Sequence, residues 1–427
     1  MLTGEKLLAL RAEYCSNLEN WHEEFGPLER HFKGITDRYW ERCRYVVRNL
    51  PWNPQKIIAC PPASLLNFAP NQQHRTDYAT SVWEGSSAEP QLDDNGDIIG
   101  VNVILHEPRM QRFKRSLAAR GYELAFPQAE FSQMILDAVA INGKQVVMED
   151  NGQPTRAYIR PSVGTGVGAW GVSLRPDSFI ESSVIVFRWT GYFANSVRID
   201  NEGLKVVITG ARRLFPVTGK HASNYGAAAV DGKLARELGY DELVYLAPYG
   251  IKGGQLDYNV NSFEALRQYG TIADGPGEEI IGVAADGKTI LYPPMRVNRL
   301  GGTVLNYLIE HLLPRLGIKA VEHDLTLEEL RQGKIIGLAF VGNAVKVTPI
   351  GQLDLVHASS DGNHGEVVEI LFKRELHPLL LKIKEQFLGE LSGKITPSHA
   401  SLLTPVDLEF GDKMRETLDG YWCEFIK

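Results

Sequence analysis

The sequence predicts an α+β fold of two domains behind a helical N-terminal extension. Three observations carry that reading. Strand-like and helix-like segments alternate along the 427 residues without a regular βαβ repeat. A chain of this length accommodates two domains of ordinary size. Hydrophobic residues make up 44% and charged residues 23%, the proportions that fill globular cores. We place the extension at 1–68, a small α/β domain at 69–188 and a larger domain at 195–427.

The elements follow in order. Residues 1–50 read as helical and polar, with aromatic punctuation at Tyr14, Trp21, Phe25, Phe32, Tyr39 and Trp40. The four prolines of PWNPQKIIACPP break that pattern. Asn95-Gly96 marks a hairpin turn between strand-like runs. RMQRFKRSLAAR predicts a helix ended by Gly121. AYIRPSV and SSVIVFRW read as strands either side of a glycine-rich loop. Residues 227–238 are alanine-rich and helical, closed by Gly239. VYLAPYG, GKTILYPP and IIGLAFV read as strands. TVLNYLIEHLLPRLG, LTLEELRQGK and LHPLLLKIKEQFLGEL read as helices, the last being the final clear one. No internal repeat or low-complexity tract is visible.

Several function classes recede on composition. The formal net charge of -7 speaks against nucleic acid as a partner, which calls for a basic face. No run of eighteen apolar residues occurs, so no membrane partner is expected. The N-terminus lacks the apolar core of a signal peptide. Cys15, Cys43, Cys60 and Cys423 have no CxxC spacing, which argues against a zinc or dithiol site and fits a reducing, cytoplasmic setting. GTGVG at 164–168 lacks the Gly-Lys-Ser/Thr and following helix of a phosphate loop and reads as a flexible loop. His357 and His364 flank an Asp-Gly turn and read as solvated loop residues, so no metal is expected.

Lys220 in TGKHASNY means little alone, since most lysines are solvated. Its neighbours in the sequence change that. In order along the chain stand YATSVWEG (78–85), RMQRFKRSL (109–117), AYIRP (157–161), FRWTGYF (187–193), KHASNY (220–225), DGPGEEII (274–281), LGGTV (300–304) and VGNAVKVTP (341–349). Each is weak alone, yet the ordered set resembles fold-type IV pyridoxal-phosphate enzymes, and branched-chain aminotransferases most closely, from about Tyr78 to Pro349.

The resemblance implies a homodimer, with pyridoxal 5'-phosphate held by the larger domain at the cleft with the smaller one. It makes Lys220 the catalytic lysine that holds the cofactor and Arg112 the ligand of its phosphate. It puts Tyr225 beside the ring and Asp274 at the pyridine nitrogen. Gly302, Thr303 and Asn343 fall at the phosphate. Tyr78, Tyr158, Arg160, Trp189, Tyr192 and Ala344 fall at the substrate. Elementary chemistry agrees. Transamination needs an amine that carries a proton, a carboxylate that keeps the ring cationic, and donors for a dianion. Tyr158 and Arg160, two apart on a strand, share a face.

Departures from the family bear on the substrate. Asp274 and Glu279 stand where those enzymes have Glu and Asn, Asn343 and Val304 replace phosphate-site threonines, and about a score of residues are inserted at 250–270. The expected reaction is amino-group transfer between an L-amino acid, branched-chain-like or unusual, and a 2-oxo acid. The insertion and Trp189 favour a larger or more polar donor than valine, leucine or isoleucine. The alternatives are a lyase, elimination or cyclisation reaction with the same cofactor, or a binding protein without catalysis. The retained Lys220 argues against the last.

Overall fold

The computed structural model describes residues 45–50, 53–60, 79–165, 180–189, 191–193, 196–212, 219–358 and 365–426. Tyr78, His364, residues 166–168 of the glycine-rich loop and most of the expected extension lie outside them. The described residues form two large sheets, each flanked by helices.

The first sheet is built on a long antiparallel pair. Ala157–Thr165 and Ile180–Arg188 stay in register from Ala157↔Arg188 to Thr165↔Ile180. Ser86–Leu92 and Ile98–Ile104 form the hairpin that Asn95-Gly96 signals, with Gly96 at φ +88° and the Asp93 carboxylate accepting from Asn95 and Asp97 N–H. The 1–68 segment departs from expectation at its end: Val46–Leu50 and Asn53–Cys60 are paired strands, not helix. They extend the sheet at its edge, where Pro54 removes no needed donor.

The helix His106–Arg120 covers this sheet with Met110, Phe113 and Leu117, and Gly121 closes it at φ +68°. Against it lies Gln128–Asn142, a helix that was not expected. Phe131, Met134, Ile135, Ala138 and Val139 form its buried face, and Ala140, Ile141 and Asn142 are buried as well, so the last turn is covered all round and blurs the one-sided pattern.

The second sheet holds the strands Glu279–Ala284, Thr289–Tyr292, Ile335–Gly342 and Lys346–Ala358 among others. It is buried on both faces. Along Ile335–Gly342, Leu338 and Phe340 enter one core while Ala339 and Val341 enter another. The helices from Thr303 to Arg315 and Pro378–Leu391 cover the second face. The first of these contains a π turn, Leu308–Leu312, just before Pro314, which cannot donate a backbone hydrogen bond.

Two further segments correct the reading. The insertion folds as the hairpin Leu246–Lys252 with Gln255–Asp257, then the helix Phe263–Tyr269 and the strand Gly270–Ile272, a three-stranded sheet of its own. The chain also does not end with Pro378–Leu391. Leu403–Pro405 returns to pair with Ile98–Ile104 in the first sheet, and Leu408–Ile426 packs on Gln128–Asn142. The last stretch of the expected 195–427 domain thus belongs to the first core, where Leu408, Met414 and Leu418 find apolar cover.

Gly411 is the closest point of that contact, because a Cβ there would overlap the Ala140 carbonyl. Gly411→Ala therefore overpacks the helix pair and should destabilise the fold by about 1–3 kcal/mol. Urea unfolding checks this; an unchanged midpoint means the terminal helix is not seated there.

Candidate active site

Three segments bring the site together. The helix His106–Arg120 turns Arg109, Arg112 and Ser116 to one side by its i, i+3, i+7 spacing. The strand Val82–Trp83 pairs with Val163 and Ser162 and lies beside that helix. Between them docks the loop that carries Lys220. Its backbone N–H donates to Ser116 Oγ at 2.9 Å, and its carbonyl accepts from Trp83 N–H at 3.2 Å. Ala222 N–H donates to the Ser81 carbonyl at 2.8 Å, which completes the seam.

The Lys220 ammonium end projects into a cavity of about 370 Å³. Its Nζ donates to the Tyr225 hydroxyl at 2.7 Å and lies 4.1 Å from the centre of the Trp83 ring. Burial drives the Lys220 pKa well below the ordinary value, and the nearby charge of Arg112 adds to the effect; Glu84 opposes it.

Arg112 lies next to Lys220. It makes a two-pronged bond with Glu84, Nε to Oε2 at 2.9 Å and the outer nitrogen to Oε1 at 2.5 Å, and also donates to the Gly301 carbonyl at 3.3 Å. Burial alone would raise the Glu84 pKa, but the charge and hydrogen bonds of Arg112 hold it below the usual range. Arg109 is buried beside them and donates to the carbonyls of Ile104 and Gly85 and to Asn343 Oδ1. Burial lowers its pKa to about 10.

Across the cavity run the residues of 274–279 and 300–304. Asp274 is 2% exposed, and its backbone is fixed by the Tyr245 N–H donating to the Asp274 carbonyl at 2.8 Å. Glu279 pairs with Arg299, and burial raises its pKa against that partner. Its carboxylate sits where a Cβ on residue 302 would stand, so Gly302 is required for the close approach. Thr303 follows, with a buried hydroxyl that has no partner among the described residues.

The remaining wall is aromatic. Arg160 donates to the Tyr158 hydroxyl at 3.1 Å and stacks over Trp83 at 4.1 Å. Tyr158 meets Trp189 edge-on at 4.5 Å, and Trp189 meets Tyr192 at 6.1 Å. Tyr192 donates to Glu242 at 3.0 Å, and Glu278, burial and Glu242 together push its phenol far above the ordinary value.

Every residue singled out from the sequence, Tyr78 aside, lines this cavity: Arg112, Tyr158, Arg160, Trp189, Tyr192, Lys220, Tyr225, Asp274, Gly302, Thr303, Asn343 and Ala344. Sequence reasoning missed Trp83, Glu84, Arg109, Arg236 and Glu242, which also border or support it. The helical spacing from Arg109 to Arg112 was a usable signal for Arg109. Residues 250–270 contribute nothing to the cavity wall, so the insertion is not a pocket element as expected.

The branched-chain-amino-acid aminotransferase of Salmonella typhimurium is 27% identical over 338 residues, 78% of this chain and 91% of that one. The Escherichia coli branched-chain amino acid aminotransferase structure superposes with a TM-score of 0.63 at 21% identity, over 86% of this chain and all of that one. The chain has the fold of the branched-chain aminotransferases. It is branched-chain-aminotransferase-like in sequence and of fold type IV. No family model matches it. The branched-chain amino acid aminotransferase from Thermobaculum terrenum, in its PLP-form, superposes with a TM-score of 0.62 at 17% identity, covering 86% of this chain and 99% of that one.

In this aminotransferase fold the buried amine carries a stability cost with a definite pH sign. A lysine with a depressed folded-state pKa binds fewer protons folded than unfolded between that pKa and 10.5, so the cost is full at low pH and fades as pH rises to 10.5. Cofactor-free Lys220→Met should melt higher than the parent at neutral pH, by a few degrees, with the gap closing towards pH 10.5. A constant gap across that range would show the amine is not the source.

Proposed function

We propose that the chain is a pyridoxal 5'-phosphate-dependent aminotransferase that moves an amino group between an L-amino acid and a 2-oxo acid. One observation carries the reading: a buried lysine amine, depressed in pKa and held by a tyrosine hydroxyl, shares a cavity with an arginine and with orphaned donors suited to a phosphate. The residues fit the cofactor. The unpartnered Thr303 hydroxyl and Asn343 amide nitrogen are buried donors that a dianion would satisfy, and the volume suits a small ligand.

When bound, the cofactor would supply an aldehyde for the amino group and a ring that takes up electrons. The residues around it do the rest. Lys220 would hold the cofactor and would take and return a proton at its Nζ. Its depressed pKa leaves it neutral more often than a solvated lysine, which both tasks need. Tyr225 orients the amine from 2.7 Å. Arg112, Gly302, Thr303 and Asn343 would hold the phosphate, and the Asp274 carboxylate would keep the ring protonated. Arg160 and Tyr158 receive a substrate carboxylate; Trp189, Tyr192 and Ala344 bound the side-chain pocket, with Tyr78 completing it.

We extend this to a cytoplasmic homodimer, with a small domain at 69–188 joined by the strands at 46–60 and by the segment from Leu403 on, and a cofactor domain from 195 up to that segment. The polar side chains of Arg236, Glu242 and Glu278 on the cavity wall support a donor larger or more polar than valine, leucine or isoleucine. No feature favours the lyase or cyclisation alternative.

An acceptor assay tests the reaction: turnover of an amino donor should require a 2-oxo acid. Release of product without an acceptor would overturn transamination. Borohydride should fix the cofactor covalently to Lys220, and peptide mapping that finds the label on another lysine removes the basis of the assignment.

Asp274→Asn keeps shape and a hydrogen bond but loses the charge that keeps the ring cationic. It should remain yellow yet react with donor more slowly by on the order of a hundredfold, the scale of a lost charge-assisted hydrogen bond. Single-turnover rates equal to the parent would reduce Asp274 to a turn residue.

A further inference from the structure

We infer that Arg109, Ser87 and Lys346 are positioning residues that lock the Asn343 side chain with its NH2 group turned into the cavity, where it serves as a fixed donor to the cofactor phosphate. The inference rests on the proposed cofactor reading and assigns the anion-facing atom and what holds it.

Arginine can only donate. Arg109 reaches Asn343 at 3.0 Å, so the atom it meets must be the amide oxygen. Ser87 Oγ approaches the same oxygen at 3.0 Å and must donate to it as well. Ser87 is free to do so because its own oxygen accepts from Lys346 Nζ at 3.0 Å, and an ammonium likewise only donates. Lys346 is in turn held by Glu89 at 2.6 Å. Donors thus run one way, from Lys346 through Ser87 to Asn343, and Arg109 closes the second lone pair. The amide oxygen is saturated and the NH2 group is forced to the opposite side.

That NH2 group is buried and has no partner among the described residues. An unpaired buried donor is costly, and the cavity that Asn343 lines is where a partner would come from. The partner's chemistry follows from its surroundings. Arg112 and the unpartnered Thr303 hydroxyl line the same cavity, so donors converge there and an acceptor-only anion answers them.

The fold has invested in this arrangement. Lys346 takes φ +56°, a conformation that lysine rarely adopts, at the end of the tight turn 343–345 between Ile335–Gly342 and Lys346–Ala358. Its ammonium is buried across the seam from the first sheet, where burial lowers its pKa to about 8 although Glu89 opposes this. A surface turn would have no use for a buried lysine there. A hydroxyl side chain would need none of this apparatus, because it rotates to find its acceptor. An amide does not, and one flipped by half a turn would offer oxygen to the anion.

The test is the affinity of cofactor-free protein for pyridoxal 5'-phosphate and for pyridoxal, which lacks the phosphate, both read by absorbance. Asn343→Asp keeps the shape but presents only oxygens, and should weaken the phosphorylated ligand on the order of tenfold or more while leaving pyridoxal nearly unchanged. Ser87→Ala should do the same more mildly. In an Asn343→Thr background Ser87→Ala should cost nothing further, because the hydroxyl orients itself. The inference fails if Asn343→Asp leaves the ratio of the two affinities unchanged, or if Ser87→Ala weakens both ligands equally in both backgrounds. Parent protein that binds neither ligand overturns the proposed function instead, so the two failures are told apart.

Discussion

The buried pair of Arg112 and Glu84 is the constraint on which the rest of the site depends. Both side chains are out of water, and either one alone would be an uncompensated buried charge. Pairing them two-pronged fixes the His106–Arg120 helix against the turn after Val82–Trp83, and the seam between those two elements is where the Lys220 loop docks. A positive cluster remains even after that pairing. Arg109, Arg112, Arg160 and Lys220 face one carboxylate, Glu84, on this side of the cavity. Burial is the main cause of the depressed Lys220 pKa, and the charges of Arg112, Arg160 and Arg109 add to it. An apo site of this kind holds stored repulsion that an anionic ligand relieves, so binding and stability are linked.

How much of this was legible in the sequence depends on how local the chemistry is. Lys220 and Tyr225 sit within a single turn of chain, and Tyr158 and Arg160 on one strand face, so a short motif captures each pair. Arg109 and Glu84 carry equal weight but act through partners distant in sequence, such as Asn343 with Arg109, and a lone charge in a sequence does not announce a buried partner. The fold shows the same divide. Elements with a turn signal, such as the Asn95-Gly96 hairpin, or a cap, such as Thr326 with Glu329 ahead of Leu327–Arg331, were legible. The helix Gln128–Asn142 was not, because its last turn is buried all round and blurs the period of the first turns. The strands at 46–60 were hidden by prolines that matter little at a sheet edge.

The insertion shows why a length difference is a poor guide to substrate. It buries part of its apolar content: Leu266 and Val260 join the second core, while Leu256 and Tyr258 stay exposed, and the adjoining Tyr249 donates to Asp324 at 2.7 Å. It is a packed annex of the second sheet and reaches no wall of the cavity. Substrate preference must instead be sought among the side chains that do line it. Arg236, Glu242 and Glu278 are among them, interleaved with Ala228 and Ala229, whereas an aliphatic side chain gains most from apolar contact.

The two walls of the cavity carry opposite signs, and that asymmetry constrains the ligand more tightly than any single contact. Arg109, Arg112 and Arg160 come from the first sheet and its helix and Lys220 from the loop docked on that helix, with Arg236 apart on the helix Gly226–Glu237; Asp274, Glu278 and Glu279 come from one segment beside the second sheet. Arg299 answers Glu279, and burial still raises the Glu279 pKa, so its neutralisation is incomplete. Asp274 adds a further acid at a backbone position pinned by Tyr245. A side chain one methylene shorter than glutamate on a pinned backbone cannot reach farther by shifting its loop. Its ligand must come closer, or a water must bridge. Either way, a molecule with an anion at one end and a proton-bearing ring at the other matches both walls at once, whereas a simple anion satisfies only the first.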